Sequence, residues 1–72
     1  MADPRAYMRL YSQVKARISD GTLAPGDRLH IGLLADEFDV SRDTVQKALA
    51  LLERDGLAER YDGLGWYVAD QP

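Results

Sequence analysis

Between Ser41 and Gly56 the chain sets Val45, Ala48, Leu49 and Leu52 at positions i, i+3, i+4 and i+7. Apolar residues at that spacing share one stripe of an α-helix. A serine in front can accept a backbone N–H of the first turn, and Gly56, after Arg54-Asp55, can take the conformation that ends the helix. A helix over 41–54 is therefore predicted, with one stripe that has to be covered. Asp43, Gln46, Lys47, Ala50 and Arg54 lie along the opposite face, flanked by Arg42 and Thr44. The rest of the chain must supply the cover for the stripe and leave that polar face open.

Two earlier segments can do so. Asp3-Pro4 is suited to an N-cap followed by proline at the first helical position, and Tyr7, Leu10, Tyr11, Val14 and Ile18 then recur at helical spacing up to a stop at Gly21. Pro25-Gly26 has the order of a type II turn. Arg28-Leu29-His30 is too short for more than a strand stub, and Ile31, Leu34, Ala35 and Phe38 repeat as a short, poorly capped second helix. Beyond the third helix, 57–61 and 66–69 are rich in aromatic and branched residues, and Asp62-Gly63-Leu64-Gly65 separates them. That pattern predicts a β-hairpin with a glycine-permissive tip. Alternation puts Trp66 and Val68 on one face and Tyr67 on the other without saying which face is inward. The expected fold is mainly α with a small β-hairpin: a winged helix-turn-helix of three helices plus a C-terminal wing.

Seventy-two residues hold one small domain, 1–72, with no room for an effector-binding domain. There is no cysteine and only one histidine, His30, so neither a disulfide nor the usual zinc cluster is available, and no metal or other cofactor is expected. The carboxylates are scattered over caps and turns with no nucleophile beside them, so no catalytic residue is expected and an enzyme is rejected. The first eleven residues hold no apolar run, and no segment approaches the roughly 18 apolar residues of a membrane span. The expectation is a cytoplasmic protein with no membrane partner and no small-molecule site.

The formal charge of −3 opposes non-specific attraction to a polyanion, but the placement of charge matters as much as its sum. Arg28, Arg42, Lys47, Arg54 and Arg60 can gather near one face while acid occupies others. On the open face of the third helix, arginine can fork onto guanine O6 and N7, glutamine can pair with adenine N6 and N7, and aspartate can accept from cytosine N4. These chemistries make Arg42, Asp43, Gln46 and Lys47 candidate DNA contacts. Ser41 is a cap first, and it and Thr44 can add hydroxyls to a phosphate at the positive helix end. Gly63 and Gly65 serve turn geometry first and would also let the wing tip approach the DNA backbone.

Tyr11-Ser-Gln-Val14, Ile18-Ser-Asp-Gly-Thr-Leu-Ala-Pro-Gly-Asp-Arg-Leu29, Leu34-Ala35, Val40-Ser-Arg-Asp-Thr-Val45, Ala48-Leu-Ala-Leu-Leu-Glu53, Asp55-Gly-Leu57 and Gly63-Leu-Gly65 with Val68 together resemble the DNA-binding domain of the GntR family of bacterial transcription regulators. The resemblance implies a winged helix-turn-helix that binds double-stranded DNA, acting as a repressor, with Ser41, Arg42 and Gln46 at contact positions of the family. Relatives often enter helix two through a Leu-Pro-Ser-Glu-Arg-like motif whose arginine touches DNA, whereas this chain has Leu29-His-Ile-Gly-Leu-Leu34. Their wing is often basic, and here it is Arg60-Tyr-Asp-Gly-Leu-Gly-Trp-Tyr-Val68, leaving Arg60, Gly63 and Gly65 as its candidate contacts. A homodimer on a palindromic operator would double the contacts. The rival reading is a winged-helix protein-interaction module that has lost DNA binding and docks through Trp66, Tyr67 and the acidic second helix.

Overall fold

The computed structural model describes residues 4–70. Three helices and three strands follow in the order α1 (Pro4–Ser19), β1 (Arg28–Leu29), α2 (Ile31–Phe38), α3 (Arg42–Arg54), β2 (Ala58–Tyr61) and β3 (Gly65–Val68). The winged helix-turn-helix expected from the sequence is present. Asp3, expected to cap α1, lies outside the described residues. Among those residues no helix is long and apolar enough to cross a membrane.

The helices form because their apolar stripes meet. Val45, Ala48, Leu49 and Leu52 of α3 have no solvent exposure, nor do Leu10 and Val14 of α1. These join Leu34 and Ala35 of α2, Leu29 of β1, Ala58 of β2 and Trp66 and Val68 of β3 in one core. Each buried leucine contributes ~1.5–3 kcal/mol by leaving water. Tyr7, Tyr11, Ile18, Ile31 and Phe38 are half-buried around that core. Polar ties then fix the helix pairs at its rim. The Tyr11 hydroxyl of α1 donates to Asp55 at the end of α3, and this bond to a carboxylate holds the phenol above its usual pKa. Arg17 of α1 grips Glu37 of α2 through both guanidinium nitrogens and lies 5.5 Å from the centre of the Phe38 ring.

The link between α2 and α3 is the three residues Asp39, Val40 and Ser41. Asp39 is the one described non-glycine residue in the left-handed region, at φ 54°. In that conformation its N–H reaches the carbonyls of Ala35 and Asp36, and the Val40 N–H reaches Ala35 at 3.0 Å. The last turn of α2 is thereby closed and the chain reversed. Ser41 then caps α3 as anticipated: its Oγ accepts the Thr44 N–H at 3.1 Å and lies 3.0 Å from the Thr44 Oγ1. The N-cap of α2 is His30, whose side chain makes no capping bond. The short second helix is therefore as poorly capped as its sequence suggested, and its first N–H groups are left without an intrahelical acceptor.

The sheet goes beyond a hairpin. Its strand order is β1-β3-β2, both pairings antiparallel, so the last strand is the central one. Arg28 pairs with Tyr67 and Leu29 with Trp66, and the lead-in is fastened by Gly26 N–H to Val68 C=O at 2.9 Å and Val68 N–H to Asp27 C=O at 2.8 Å. The preceding turn is the type II turn expected: Asp27 N–H returns to Ala24 C=O at 3.0 Å and Gly26 takes φ 89°. The pairing also decides the face left open by alternation. Trp66 is 6% exposed and closes the core, whereas Tyr67 stays half-buried on the outer face, edge-on to Tyr61 at 5.7 Å.

Candidate nucleic-acid interface

The open side of α3 matches its helical phase. Arg42, Asp43, Gln46, Lys47, Ala50 and Arg54 are all exposed, while the four stripe residues opposite them are sealed. Ser41 is exposed at the cap. Thr44 is different: it is 4% exposed and its hydroxyl is shared with Ser41. Its side chain is thus engaged in holding the helix start, a role that the flank position assigned by helical phase did not reveal.

Arg42 leans away from its own helix toward α2. Its Nη2 lies 3.5 Å from the position a β-carbon on Gly32 would occupy. A guanidinium therefore stands beside the first turn of α2, whose N–H groups also lack a side-chain cap. A cation next to the positive end of a helix dipole is favourable only when an anion lies between them. Both sets of donors suit the same kind of ligand.

On the other flank, α3 and the wing enclose a cleft of about 330 Å³ lined by Arg28, Ile31, Gln46, Arg60, Tyr61, Gly63, Leu64, Gly65 and Trp66. The structure thus brings Gln46 together with Arg60, Gly63 and Gly65, four of the residues selected from sequence. It also adds Arg28, which sequence reasoning had counted among the gathering cations without placing it at the site. Arg28 arrives there through the pairing of β1 with β3, a contact between residues far apart in the chain. Its Nη2 and Nε lie 3.5 and 3.6 Å from the β-carbon position of Gly65. The missing side chain of Gly65 is what leaves that room, and its φ of 109° disfavours any other residue. Gly63, at φ 77°, makes the tip turn, closed by Leu64 N–H to Tyr61 C=O at 3.0 Å.

Charge is partitioned around this surface. Arg17 is taken up by Glu37, and Arg54 lies 3.9 Å from Asp55. Hydrogen bonds from the Thr22 side chain and from its N–H draw the Asp20 carboxyl below the usual range, and Asp27 accepts from the Ala24 N–H. Glu59 accepts from the Tyr61 hydroxyl and raises that phenol. By contrast Arg28, Arg42, Lys47 and Arg60 have no carboxylate partner among the described residues. Asp43 is the acid in the first turn of α3, exposed on the same helix as Arg42 and Lys47.

The comparisons with known proteins agree with this architecture. Residues 6–68 match the model of the gntR family of bacterial regulatory proteins. The chain is 40% identical over 62 residues to YdhC, an HTH-type transcriptional regulator of Bacillus subtilis (strain 168); the match covers 86% of this chain and 28% of that protein. A GntR transcriptional regulator from Rhodococcus sp. RHA1 superposes with a TM-score of 0.87 at 32% identity, over 92% of this chain and 32% of the other. The DNA-binding domain of AraR, solved in complex with operator ORR3, gives 0.83 at 29% identity, over 89% of this chain and 78% of the other. With its three helices, its wing and nearly its whole length matched, this chain belongs to the gntR family of bacterial regulatory proteins.

Proposed function

We propose that this chain is the sequence-specific DNA-binding domain of a transcription regulator and that it represses by occupying promoter DNA. The observation that carries this reading is the exposed face of α3, where Arg42, Gln46 and Lys47 project without acidic partners from a helix held rigidly by its buried stripe and its Ser41 cap. A B-DNA major groove is ~12 Å wide and admits one α-helix, whose first turns meet the base edges. Gln46 then reads a base, Arg42 a base or the adjacent phosphate, and Lys47 a phosphate. Ser41 contacts the backbone from the cap. Asp43 accepts from cytosine or complements the helix dipole, and Thr44 acts by orienting Ser41.

The uncapped first turn of α2 offers its N–H groups to a phosphate beside Arg42. Arg60, Gly63 and Gly65 approach the backbone from the wing. The gntR-family membership and the likeness to an operator-bound AraR domain support this assignment of faces. A homodimer on a palindromic operator would present two such faces. The protein-docking alternative depended in part on Trp66, which is buried in the core and offers a partner little surface.

The test is selection of bound duplexes from a random pool, followed by affinity measurements on the enriched sequence and a scrambled control. The expected result is one enriched motif whose preference collapses in Arg42→Ala. Failure of any motif to enrich, with the domain artificially dimerised and at moderate salt, would overturn the reading.

A further inference from the structure

Resting on the DNA-binding reading above, we propose that Arg28 and Arg60 form a two-arginine phosphate clamp between α3 and the wing, and that Arg28 is a DNA-backbone contact in its own right. The reasoning is one of widths. An α-helix with its side chains is ~10–12 Å across and the major groove ~12 Å, so a docked α3 fills the groove and the sugar-phosphate ridges lie against its flanks. On the wing side, what faces that ridge is the cleft whose walls are Gln46 on α3, Arg60 on β2, and the wing tip, with Arg28 lying over Gly65. Both arginines are exposed, and neither has a carboxylate partner among the described residues.

Their placement comes from the backbone. Arg60 pairs with Trp66 and Arg28 with Tyr67, neighbouring positions on the central strand. By strand alternation the two side chains leave opposite faces of the sheet, Arg28 on the Tyr67 face beside Gly65 and Arg60 on the Trp66 face, and they line the cleft from either side of the wing. Arginine suits this task because its planar fork offers several donors to a phosphate oxygen pair while staying charged at all relevant pH values. A contact of this kind fixes the protein's register on the duplex and carries no base information of its own. Arg28 and Arg60 thus supply affinity along the strand that borders Gln46, and Gln46 supplies the reading.

The experiment measures binding of the enriched duplex and of a scrambled duplex against salt concentration for wild type, Arg28→Ala, Arg28→Lys and the Arg28→Ala/Arg60→Ala double variant. Removing one phosphate contact should lower the slope of log affinity against log salt by about 0.9, and removing two by about 1.8. The loss for Arg28→Ala should be the same factor on both duplexes, with Arg28→Lys keeping the wild-type slope. An unchanged slope in Arg28→Ala, or a loss confined to the enriched duplex, overturns the clamp while leaving the DNA reading intact. Were Arg28→Ala to unfold, as judged by its melting curve, Arg28→Gln replaces it, and the same slope criterion decides. Wild type that binds no duplex defeats the parent reading and the clamp with it.

Discussion

At the residue scale, a few side chains separate folding from recognition. Ser41 belongs to folding: its Oγ satisfies the Thr44 N–H and orients the Thr44 hydroxyl. Ser41→Ala should therefore destabilise the domain by about 0.5–2 kcal/mol in denaturant titration, with Thr44 losing its partner as well. Gln46 is assigned to recognition in the proposed reading. It is exposed, so Gln46→Ala should leave the melting curve nearly unchanged but remove ~1–3 kcal/mol of discrimination at a single base pair of the enriched motif. A uniform loss on enriched and scrambled duplexes would instead make Gln46 a backbone contact. The Ser41 cap and the exposure of Gln46 were legible in the sequence because each depends on local helical phase. Trp66 was not: alternation separates it from Tyr67 but cannot say which side meets the core, and that is settled by α3 lying beneath the sheet. Nor was the burial of Thr44, since its partner is the cap that the same residue helps to build.

At the scale of elements, all three helices could be read from their stripes, and the wing hairpin from its glycines. The sheet could not be read in full. β1 is two residues long, too short for any pattern, and it joins β3 across a separation of 39 positions, Arg28 opposite Tyr67. That pairing sets Arg28 at the cleft beside the wing, which is why the candidate site was legible on α3 and incomplete there. The clasp of α1 on α2 was equally hidden, as it needs Arg17 and Glu37 on faces that only packing brings together. It carries a pH signature. The guanidinium lowers the pKa of Glu37, so the clasp contributes stability above the pKa of this carboxyl in the unfolded chain and loses it as pH falls through the lower folded value. Wild type should melt higher than Glu37→Gln near neutrality, and the gap should close on acidification and narrow in high salt. A gap that persisted in acid would mean that the glutamine variant is destabilised by something other than the lost ion pair.

For the whole molecule the question is how an acidic chain holds DNA. Nine basic against twelve acidic residues give a net charge of −3, so the domain as a body is repelled by a polyanion. In the proposed reading, attraction rests on the few cations grouped around α3 and the wing: Arg28, Arg42, Lys47 and Arg60. With so few phosphates neutralised, a single domain should bind weakly and with a shallow salt dependence, while its preference for the right sequence stays high because base contacts are a large share of the total. Such a domain gains most from being doubled. Two copies joined by a short linker, just long enough to span one helical turn along one side of the duplex, should prefer half-sites whose centres lie ~10–10.5 base pairs apart, because only then do both α3 helices meet a major groove within its reach. The second binding step becomes intramolecular, and affinity should exceed that of one domain by ~10²–10⁴-fold. Moving one half-site by about five base pairs should remove most of that gain, as the second groove then faces away. Gel-shift or anisotropy titrations of the joined protein over a series of half-site spacings provide the measurement. A gain that did not vary with spacing would show that the second copy adds only general attraction, and the picture of two helices seated in successive grooves would have to be abandoned.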